Sequence, residues 1–282
     1  MATDAAVITA TNLANWIPDI WSQDVISDVE KLLVTGMLVD RRYEAAAAGG
    51  GDVIVVPNLF NLTANVVNTS ADMVLYDSIQ NVTNISLNKK YDVGVVVDDI
   101  NRLQTNPKYY DAVRGKLSYA LARQIDINTN VLFKSFSQAV GVVNVAITED
   151  EIIDAWTKLN LIDAPSEGRA WIFDPETIQD LAKLDYFVRM DYVPDSMVRN
   201  GFQGRQILGS PTYMTSNLDT YAGGPHAAAY IQRQAIALVV QMPIKFEAFR
   251  LPLQHGDGLS MLTVFGVQEM RDSFGVCINT RS

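Results

Sequence analysis

The longest helical pattern in the chain runs from Pro107 to about Ala139. Its apolar residues recur at spacings of three, four or seven: Val113, Leu117, Ala120, Leu121, Ile125, Leu132 and Phe136. Asn106 can cap this helix, and Pro107 suits the first helical position, where its missing N–H has no helical partner. At about 1.5 Å per residue the predicted helix would be about 45–50 Å long, far above the usual three turns.

Shorter helical patterns lie on both sides of this helix. Pro18 to Gly36 carries apolar residues at helical spacing, and Gly36 is the predicted stop. Thr148 and Glu151 form a capping box at the start of "TEDEIIDAWTKLNLID". "RAWIFDPETIQDLAKL" predicts a strand, a turn at Asp174-Pro175 and a short helix.

Strand patterns fill most of the remaining chain. "GDVIVVP" predicts a strand that Pro57 ends, and "DVGVVV" predicts a buried strand. Between them, Asn58 to Asn88 is mostly polar, which predicts an extended β-segment with little core of its own. "RQIL", "PTYMT" and much of Ala227 to Thr280 predict further strands. Because helices and strands do not alternate regularly, the predicted fold class is α+β.

Composition narrows the function classes. Hydrophobic residues make up 48% of the 282 residues and charged residues 19%. The hydrophobic share is typical of a folded chain with a sizeable core. The low charged share is typical of a protein that buries surface against partners. The formal net charge is −10, and the basic residues are scattered. A dedicated nucleic-acid-binding protein usually carries a basic face, so this class is disfavoured.

Targeting and modification signals point to synthesis and folding in the cytoplasm. The start of the chain lacks a basic region followed by an apolar one, which predicts no signal peptide. "AIALVVQMPI" is too short to span a membrane. Cys277 is the single cysteine, so an intrachain disulfide is excluded. Four N-glycosylation sequons between Asn61 and Ser86 are interpreted as an Asn/Thr-rich β-segment.

Candidate chemistry is sparse. The sequence contains no GxxxxGK[ST], GxSxG, HExxH or CxxC motif. His226 and His255 are 29 positions apart, with only Asp257 as a nearby carboxylate, so a metal site is disfavoured. "GFQGR", Gly201 to Arg205, has the glycines of a backbone clamp for nucleic acid but is interpreted as a turn. Cys277 lies in an apolar strand pattern and is interpreted as a small buried hydrophobe.

Asp98 and Asp99 are the most enzyme-like feature, because they follow a run of valines just before the long helix. Neighbouring strand residues point to opposite faces, so the two carboxylates do not converge on one proton. We interpret them as residues that end the strand and turn or cap the chain, with Arg102 as a counter-ion. The sequence therefore predicts no enzyme: no catalytic, cofactor-binding or metal-binding residue is assigned, and no cofactor is expected.

Several stretches occur in a familiar order along nearly the whole chain. "WIPDIWSQDVI" is followed by "GDVIVVP", Gly51 to Pro57, and then by the polar β-segment. "VDD", Val97 to Asp99, precedes the long helix, which contains "YALARQID", Tyr119 to Asp126. "QILGSPTYMTSNL", Gln206 to Leu218, and the aromatic-aliphatic C-terminal strands complete the set. In this order they resemble the major capsid protein of tailed double-stranded DNA bacteriophages, the Hong Kong phage-type capsid fold.

The resemblance implies five parts of the chain. Residues 1–57 would be the N-terminal arm and the start of a peripheral domain, and 58–88 an extended loop over a neighbouring subunit. Residues 89–141 would hold the spine helix of the peripheral domain. Residues 142–234 would form an axial domain at the capsomer centre. Residues 235–282 would be C-terminal strands that return to the peripheral domain.

The function that the resemblance implies is structural. Copies of the chain would form hexamers and pentamers of an icosahedral shell in the virion, around double-stranded DNA that is not bound by sequence. Assembly would take place in the host bacterial cytoplasm, with a portal and decoration proteins as further partners. The chain length leaves no room for a fused scaffolding domain, so a separate scaffolding protein is expected. No membrane partner and no crosslink between subunits is assigned.

Three alternatives stay open at this point. An encapsulin-like shell shares the fold but encloses cargo enzymes, and a neighbouring portal, terminase or cargo gene would distinguish it. A hydrolase that uses Asp98 and Asp99 belongs to another class, as does a monomeric surface-binding module. Sedimentation separates both from a shell, because a closed particle is far larger than a monomer.

Overall fold

The computed structural model describes residues 34–47, 49–58, 64, 66, 81–98, 108–184, 206–221, 224–251 and 256–281. These residues form three sheets and the helices that pack against them. The α-helices are α1 (Thr35–Leu38), α2 (Glu44–Ala47), α3 (Lys108–Asn130), α4 (Glu149–Leu161) and α5 (Pro175–Leu181). The strands are β1 (Val53–Asn58), β2 (Asn81–Ser86), β3 (Lys89–Asp98), β4 (Ala139–Val140), β5 (Arg169–Phe173), β6 (Gln206–Ile207), β7 (Ser210–Met214), β8 (Ala227–Gln232), β9 (Ile236–Leu251), β10 (Gly256–Glu269) and β11 (Gly275–Asn279).

The long helix α3 is shorter than the sequence pattern predicts. It ends at Asn130 after 23 residues, about 35 Å, and a 3-10 helix spans Val131–Ser135. Ala139–Val140 is already the strand β4, so the predicted helical extension to Ala139 is wrong. Near the end of α3 the hydroxyl of Thr129 donates to the carbonyl of Ile125 at 2.9 Å. Bonds of this kind compete with regular helix formation and often bend a helix.

A three-stranded antiparallel sheet packs against α3. Its order is β3-β10-β9. The contact between helix and sheet is made by buried apolar side chains: Leu117 and Leu121 of α3, and Leu259 and Met261 of β10. Burying a side chain of this size stabilises by about 1.5–3 kcal/mol, so this contact fixes α3 along the sheet.

The stretch "DVGVVV" lies in β3, at the edge of the three-stranded sheet. Val97 is buried, whereas Val95 and Val96 are exposed. The prediction of a buried strand is therefore wrong for most of this stretch. A run of valines reflects β-propensity as well as burial, so it also occurs in a half-exposed edge strand.

The main core lies against a six-stranded sheet of order β4-β11-β8-β5-β7-β6. Trp171 of β5 stacks on Tyr230 of β8 with ring centroids 3.8 Å apart. The Trp171 indole N–H donates to the carbonyl of Ile207 at 3.0 Å, and the Tyr230 hydroxyl lies 2.9 Å from Ser210 Oγ. Both polar atoms therefore have partners inside an apolar core, as buried tryptophan and tyrosine require.

Helices α4 and α5 begin where the sequence predicts. The Glu151 carboxylate accepts the backbone N–H of Thr148 at 2.7 Å, which confirms the capping box of α4. Asp174 caps α5 by accepting the backbone N–H groups of Glu176 and Thr177 at 3.0 and 3.2 Å. The predicted turn at Asp174-Pro175 is therefore also confirmed.

The C-terminal segment divides between two sheets. β9 and β10 pair with each other, and β10 pairs with β3. β11 instead pairs with β8 and β4 in the six-stranded sheet. The return of residues 235–282 to the peripheral domain stays a prediction, and β11 lies in a different sheet from β9 and β10. The physical reason is burial, because Val276 and Ile278 are fully enclosed by the main core.

β1 and β2 form an antiparallel pair at the base of the polar β-segment. Pro57 lies within β1, opposite Val82, so the prediction that it ends the strand is wrong. A strand with a single partner tolerates proline, because one of its edges makes no ladder hydrogen bonds. The inner face of the pair packs on β9 through Ile85, Leu87, Ala237 and Val239.

A buried carboxylate fastens the end of the described chain. The Arg281 guanidinium donates to both oxygens of Asp180, at 2.5 and 2.6 Å. The Lys183 amine lies 2.9 Å from the same carboxylate. Burial raises the pKa of Asp180, but the hydrogen bonds from Lys183 and Arg281 outweigh burial and hold this pKa below its usual value.

We expect Arg281→Gln to lower the free energy of unfolding at neutral pH by about 2 kcal/mol, because a buried carboxylate loses its bidentate partner. The folded-state pKa of Asp180 is lowered, so this stabilisation is present above the unfolded pKa and is lost as the pH falls through the folded pKa. The difference in Tm between the two proteins should therefore shrink as the pH falls below about 4.

Thermal unfolding of the unassembled subunit as a function of pH measures this difference. Lys183→Gln is the matched control, because the Lys183 side chain is 58% exposed, against 36% for Arg281, and contacts Asp180 through one oxygen. We expect a smaller loss for Lys183→Gln. A Tm difference for Arg281→Gln that stays constant down to about pH 2 would contradict the assignment.

Candidate functional site

Three segments that are distant in sequence meet at Asp126 of α3. This carboxylate is 2% exposed and accepts the backbone N–H groups of Thr35 and Gly36 at 2.8 and 3.4 Å. Its second oxygen accepts the Asn217 side-chain amide at 3.2 Å. We call this cluster the Asp126 junction. The prediction that Gly36 ends a helix is wrong, because Gly36 lies in the first turn of α1 and its amide faces Asp126.

Asn130 extends the Asp126 junction by one turn of α3. Its side-chain oxygen accepts the Thr35 hydroxyl at 2.6 Å, and its amide donates to the Asn217 carbonyl at 2.9 Å. Arg123 donates to the Asn217 side-chain oxygen at 3.2 Å. The Asp126 junction joins α1, α3 and the loop after β7 by hydrogen bonds. This arrangement indicates a structural role. Asp126 and Asn217 both come from stretches that carried the capsid resemblance.

Among the described residues, the β1–β2 pair and α4 carry exposed apolar side chains. On the outer face of the β1–β2 pair, Val53, Val55 and Val82 are 42%, 58% and 54% exposed. We call these three residues the valine face. On α4, Ile153 and Trp156 lie one turn apart and are also exposed. Apolar side chains grouped on a surface indicate contacts with other molecules.

The structure describes only part of the Asp98–Asp99 pair. The backbone of Asp98 ends β3, as predicted, and pairs with Gly256. The side chain of Asp98, Asp99 and the proposed counter-ion Arg102 lie outside the described residues. The roles of these side chains in turning or capping the chain therefore stay predictions.

His226 lies beside Asp174 and Glu176, and one ligand atom from each falls within 4.8 Å of the others. Sequence reasoning missed this group, because no motif spacing links residues about 50 positions apart. Asp174 already accepts two backbone N–H groups and the hydroxyl of Thr177, so its oxygens are engaged in capping α5. We interpret the group as a helix cap with a neighbouring histidine, because a metal centre needs ligand oxygens that are available.

Of the other candidate metal-ligating and clamp residues from the sequence, the structure describes Asp257 alone. His255 and the stretch Gly201 to Arg205 lie outside the described residues. Asp257 is described, and its carboxylate lies 3.0 Å from the Arg250 guanidinium. Asp257 is therefore part of an ion pair between β9 and β10.

Cys277 is buried in β11, as its apolar surroundings in the sequence predicted. Its sulfur lies 3.6 Å from the Tyr221 hydroxyl. Burial raises the pKa of the Cys277 thiol, and burial followed by the contact with Cys277 raises the pKa of Tyr221. The thiol is therefore protonated at neutral pH, which is typical of an inert structural cysteine.

Solved structures share this architecture over nearly the whole length of the chain. A chain of Mycobacterium phage Che8 matches 94% of this chain and 97% of its own, with a TM-score of 0.79 and 21% identity. A chain in the capsid structure of cyanophage P-SCSP1u matches 96% and 94%, with a TM-score of 0.75 and 14% identity. The chain has a phage capsid fold.

The capsid fold also appears in a chain from the capsid of Myoviridae phage XM1, which matches 98% of this chain and 99% of its own at a TM-score of 0.64 and 14% identity. No protein-family model and no curated protein matches the sequence. In the described ranges, no helix of this capsid fold is long and apolar enough to cross a membrane. The apolar run "AIALVVQMPI" belongs to β9 from Ile236 onward.

Proposed function

We propose that this chain is the structural major capsid protein of a tailed double-stranded DNA bacteriophage. Its copies would assemble into hexamers and pentamers of an icosahedral shell. The observation that carries the proposal is the match between nearly the whole chain and nearly whole chains of phage capsid structures. The exposed valine face agrees with it, because a shell protein needs surfaces that bind further copies of itself.

The parts of the fold would take the roles that the resemblance implies. α3 and the three-stranded sheet would form the peripheral domain, with α3 as its spine. Residues 142–234, joined by β4 and β11, would form the axial domain at the capsomer centre. Residues 58–88 would be the extended loop that lies over a neighbouring subunit, and 1–57 would include the arm. The two-stranded base of the loop packs on β9 of its own subunit, which supports this assignment.

The proposed partners follow from the same role. A separate scaffolding protein and a portal would direct assembly in the host bacterial cytoplasm, and the product would be the virion capsid. Double-stranded DNA would be enclosed without sequence-specific binding, because a chain of net charge −10 disfavours phosphate contacts. The chain would act without catalysis.

Co-expression with the scaffolding protein from the same phage tests the proposal. We expect uniform round particles in negative-stain images and a single fast-sedimenting species, because the interfaces repeat at every copy. A chain that remains monomeric under these conditions would contradict the proposal. Particles that enclose a cargo enzyme and no DNA in infected cells would instead indicate an encapsulin-like compartment.

A further inference from the structure

A trough lined by arginines lies beside the last residues of β1, Val56, Pro57 and Asn58. Two adjoining cavities of about 630 and 280 Å³ share Asp40, Arg42 and Gln234 among their lining residues. Arg271 lines the larger cavity and Arg233 the smaller one. We call the surface defined by Arg42, Arg233 and Arg271 the arginine trough.

Main-chain hydrogen bonds hold the arginine trough together. The Asp40 N–H donates to the Ile236 carbonyl at 3.0 Å, directly after a 3-10 turn at Arg233–Ala235. The Arg271 N–H donates to the carbonyl of the last residue of that turn at 3.2 Å. The Arg233 N–H donates to the Gly168 carbonyl at 2.9 Å. The backbone therefore positions all three arginines before any partner binds.

The arginine trough presents mainly positive charge to its surroundings. Asp40 is 3% exposed, and both of its oxygens already bind the Arg42 guanidinium, at 3.0 and 2.8 Å. The Arg42 side chain is nevertheless 62% exposed, and Arg233 and Arg271 are exposed as well. Glu167 is the one further carboxylate among the lining residues. A concave positive surface on a chain of net charge −10 favours an acidic partner.

The lining of the arginine trough is also partly apolar, with Tyr43, Val56, Pro57 and Met270 along the larger cavity. A complementary partner would combine carboxylates with apolar side chains. The segment Asp19 to Glu30, "DIWSQDVISDVE", has this composition and contains no lysine or arginine. Its acidic residues are Asp19, Asp24, Asp28 and Glu30, and its apolar residues at helical spacing are Trp21, Val25 and Val29.

We propose that the acidic segment Asp19 to Glu30 docks in the arginine trough of its own subunit. The described chain begins at Val34, six positions before Asp40, and six residues span at most about 20 Å. The described chain therefore begins within about 20 Å of Asp40, one of the residues that line the trough. Since Val56 and Pro57 form part of the lining, docking would bring the N-terminal segment into contact with the end of β1. This inference does not depend on shell assembly.

Disulfide trapping in the unassembled full-length subunit tests the docking. Asp28→Cys combined with Gln234→Cys places one thiol in the segment and one in the trough, and the native Cys277 is buried. We expect rapid formation of a disulfide within one subunit. Asp28→Cys with Val96→Cys is the matched control, because Val96 pairs with Gly258, about 35 Å along β10 from the end near the trough.

Charge reversal supplies the second measurement. Arg233→Glu with Arg271→Glu should lower the rate of trapping about 5- to 10-fold, and adding Asp24→Arg with Glu30→Arg should restore it. Salt at about 0.5 M should slow trapping between Asp28→Cys and Gln234→Cys in the protein without charge reversal. This measurement does not depend on the folding of a charge-reversed variant. The proposal would be overturned if disulfides formed equally fast from Asp28→Cys to Gln234→Cys and to Val96→Cys. Disulfides formed between subunits would also overturn it.

Discussion

Replacing Asp126 with alanine should lower the free energy of unfolding of the subunit by about 3–5 kcal/mol. The change removes the acceptor for the amides of Thr35, Gly36 and Asn217, and a buried donor left without a partner costs about 1–3 kcal/mol. In a chain of this size 1 kcal/mol corresponds to about 2–4 °C, so Tm should fall by about 6–20 °C. Thermal and urea unfolding of the unassembled subunit measure the effect.

Two further variants separate the junction from a general effect of removing a carboxylate. Asp126→Asn keeps the volume but puts an amide donor against donors, so we expect a loss that is still large. Asp154→Ala on α4 removes an exposed carboxylate and should change stability by less than about 0.5 kcal/mol. If Asp126→Ala and Asp154→Ala unfold at the same temperature, the Asp126 junction does not stabilise the fold.

Val55→Glu combined with Val82→Glu should abolish particle assembly and leave the subunit folded. Both side chains are more than half exposed in the subunit, so the new carboxylates remain in water there. In a contact between copies the same carboxylates would be buried without a partner, which costs several kcal/mol at each one. Sedimentation of the co-expressed proteins measures assembly, and thermal unfolding of the purified subunit measures folding.

The two faces of the β1–β2 pair provide the control for this experiment. Val55→Thr with Val82→Thr changes the same positions without charge and should reduce assembly less. Ile85→Ala changes the buried face and should lower the stability of the subunit by about 2–4 kcal/mol, because it leaves a cavity against β9. Normal particles from the double glutamate variant would show that the valine face is not a contact between copies.

The sequence by itself determined the features that depend on neighbouring residues. Thr148 with Glu151 and the turn at Asp174-Pro175 predicted two helix starts, because a cap uses residues two or three positions away. The long apolar stripe predicted α3, and its order among the strand patterns carried the resemblance to the capsid fold. These signals are local or sequential, so they can be identified without the fold.

The end of α3 was decided by tertiary structure. The apolar spacing continues through Leu132 and Phe136, because the 3-10 helix and the residues after it also face the main core. The ring of Phe136 lies against Gly275, where any larger side chain would collide with it. The local pattern contains no information about a contact with a residue more than a hundred positions away. The pattern therefore overestimates the length of the helix.

The surfaces and clusters that bear on function also depend on the tertiary structure alone. The Asp126 junction joins residues about 90 positions apart, and the group at His226 joins residues about 50 positions apart. The three arginines of the trough come from separate turns that main-chain bonds bring together. Strand pairing decides which valines of "VIVVP" face β9 and which face outward, because a shift of one residue in register would exchange the two faces.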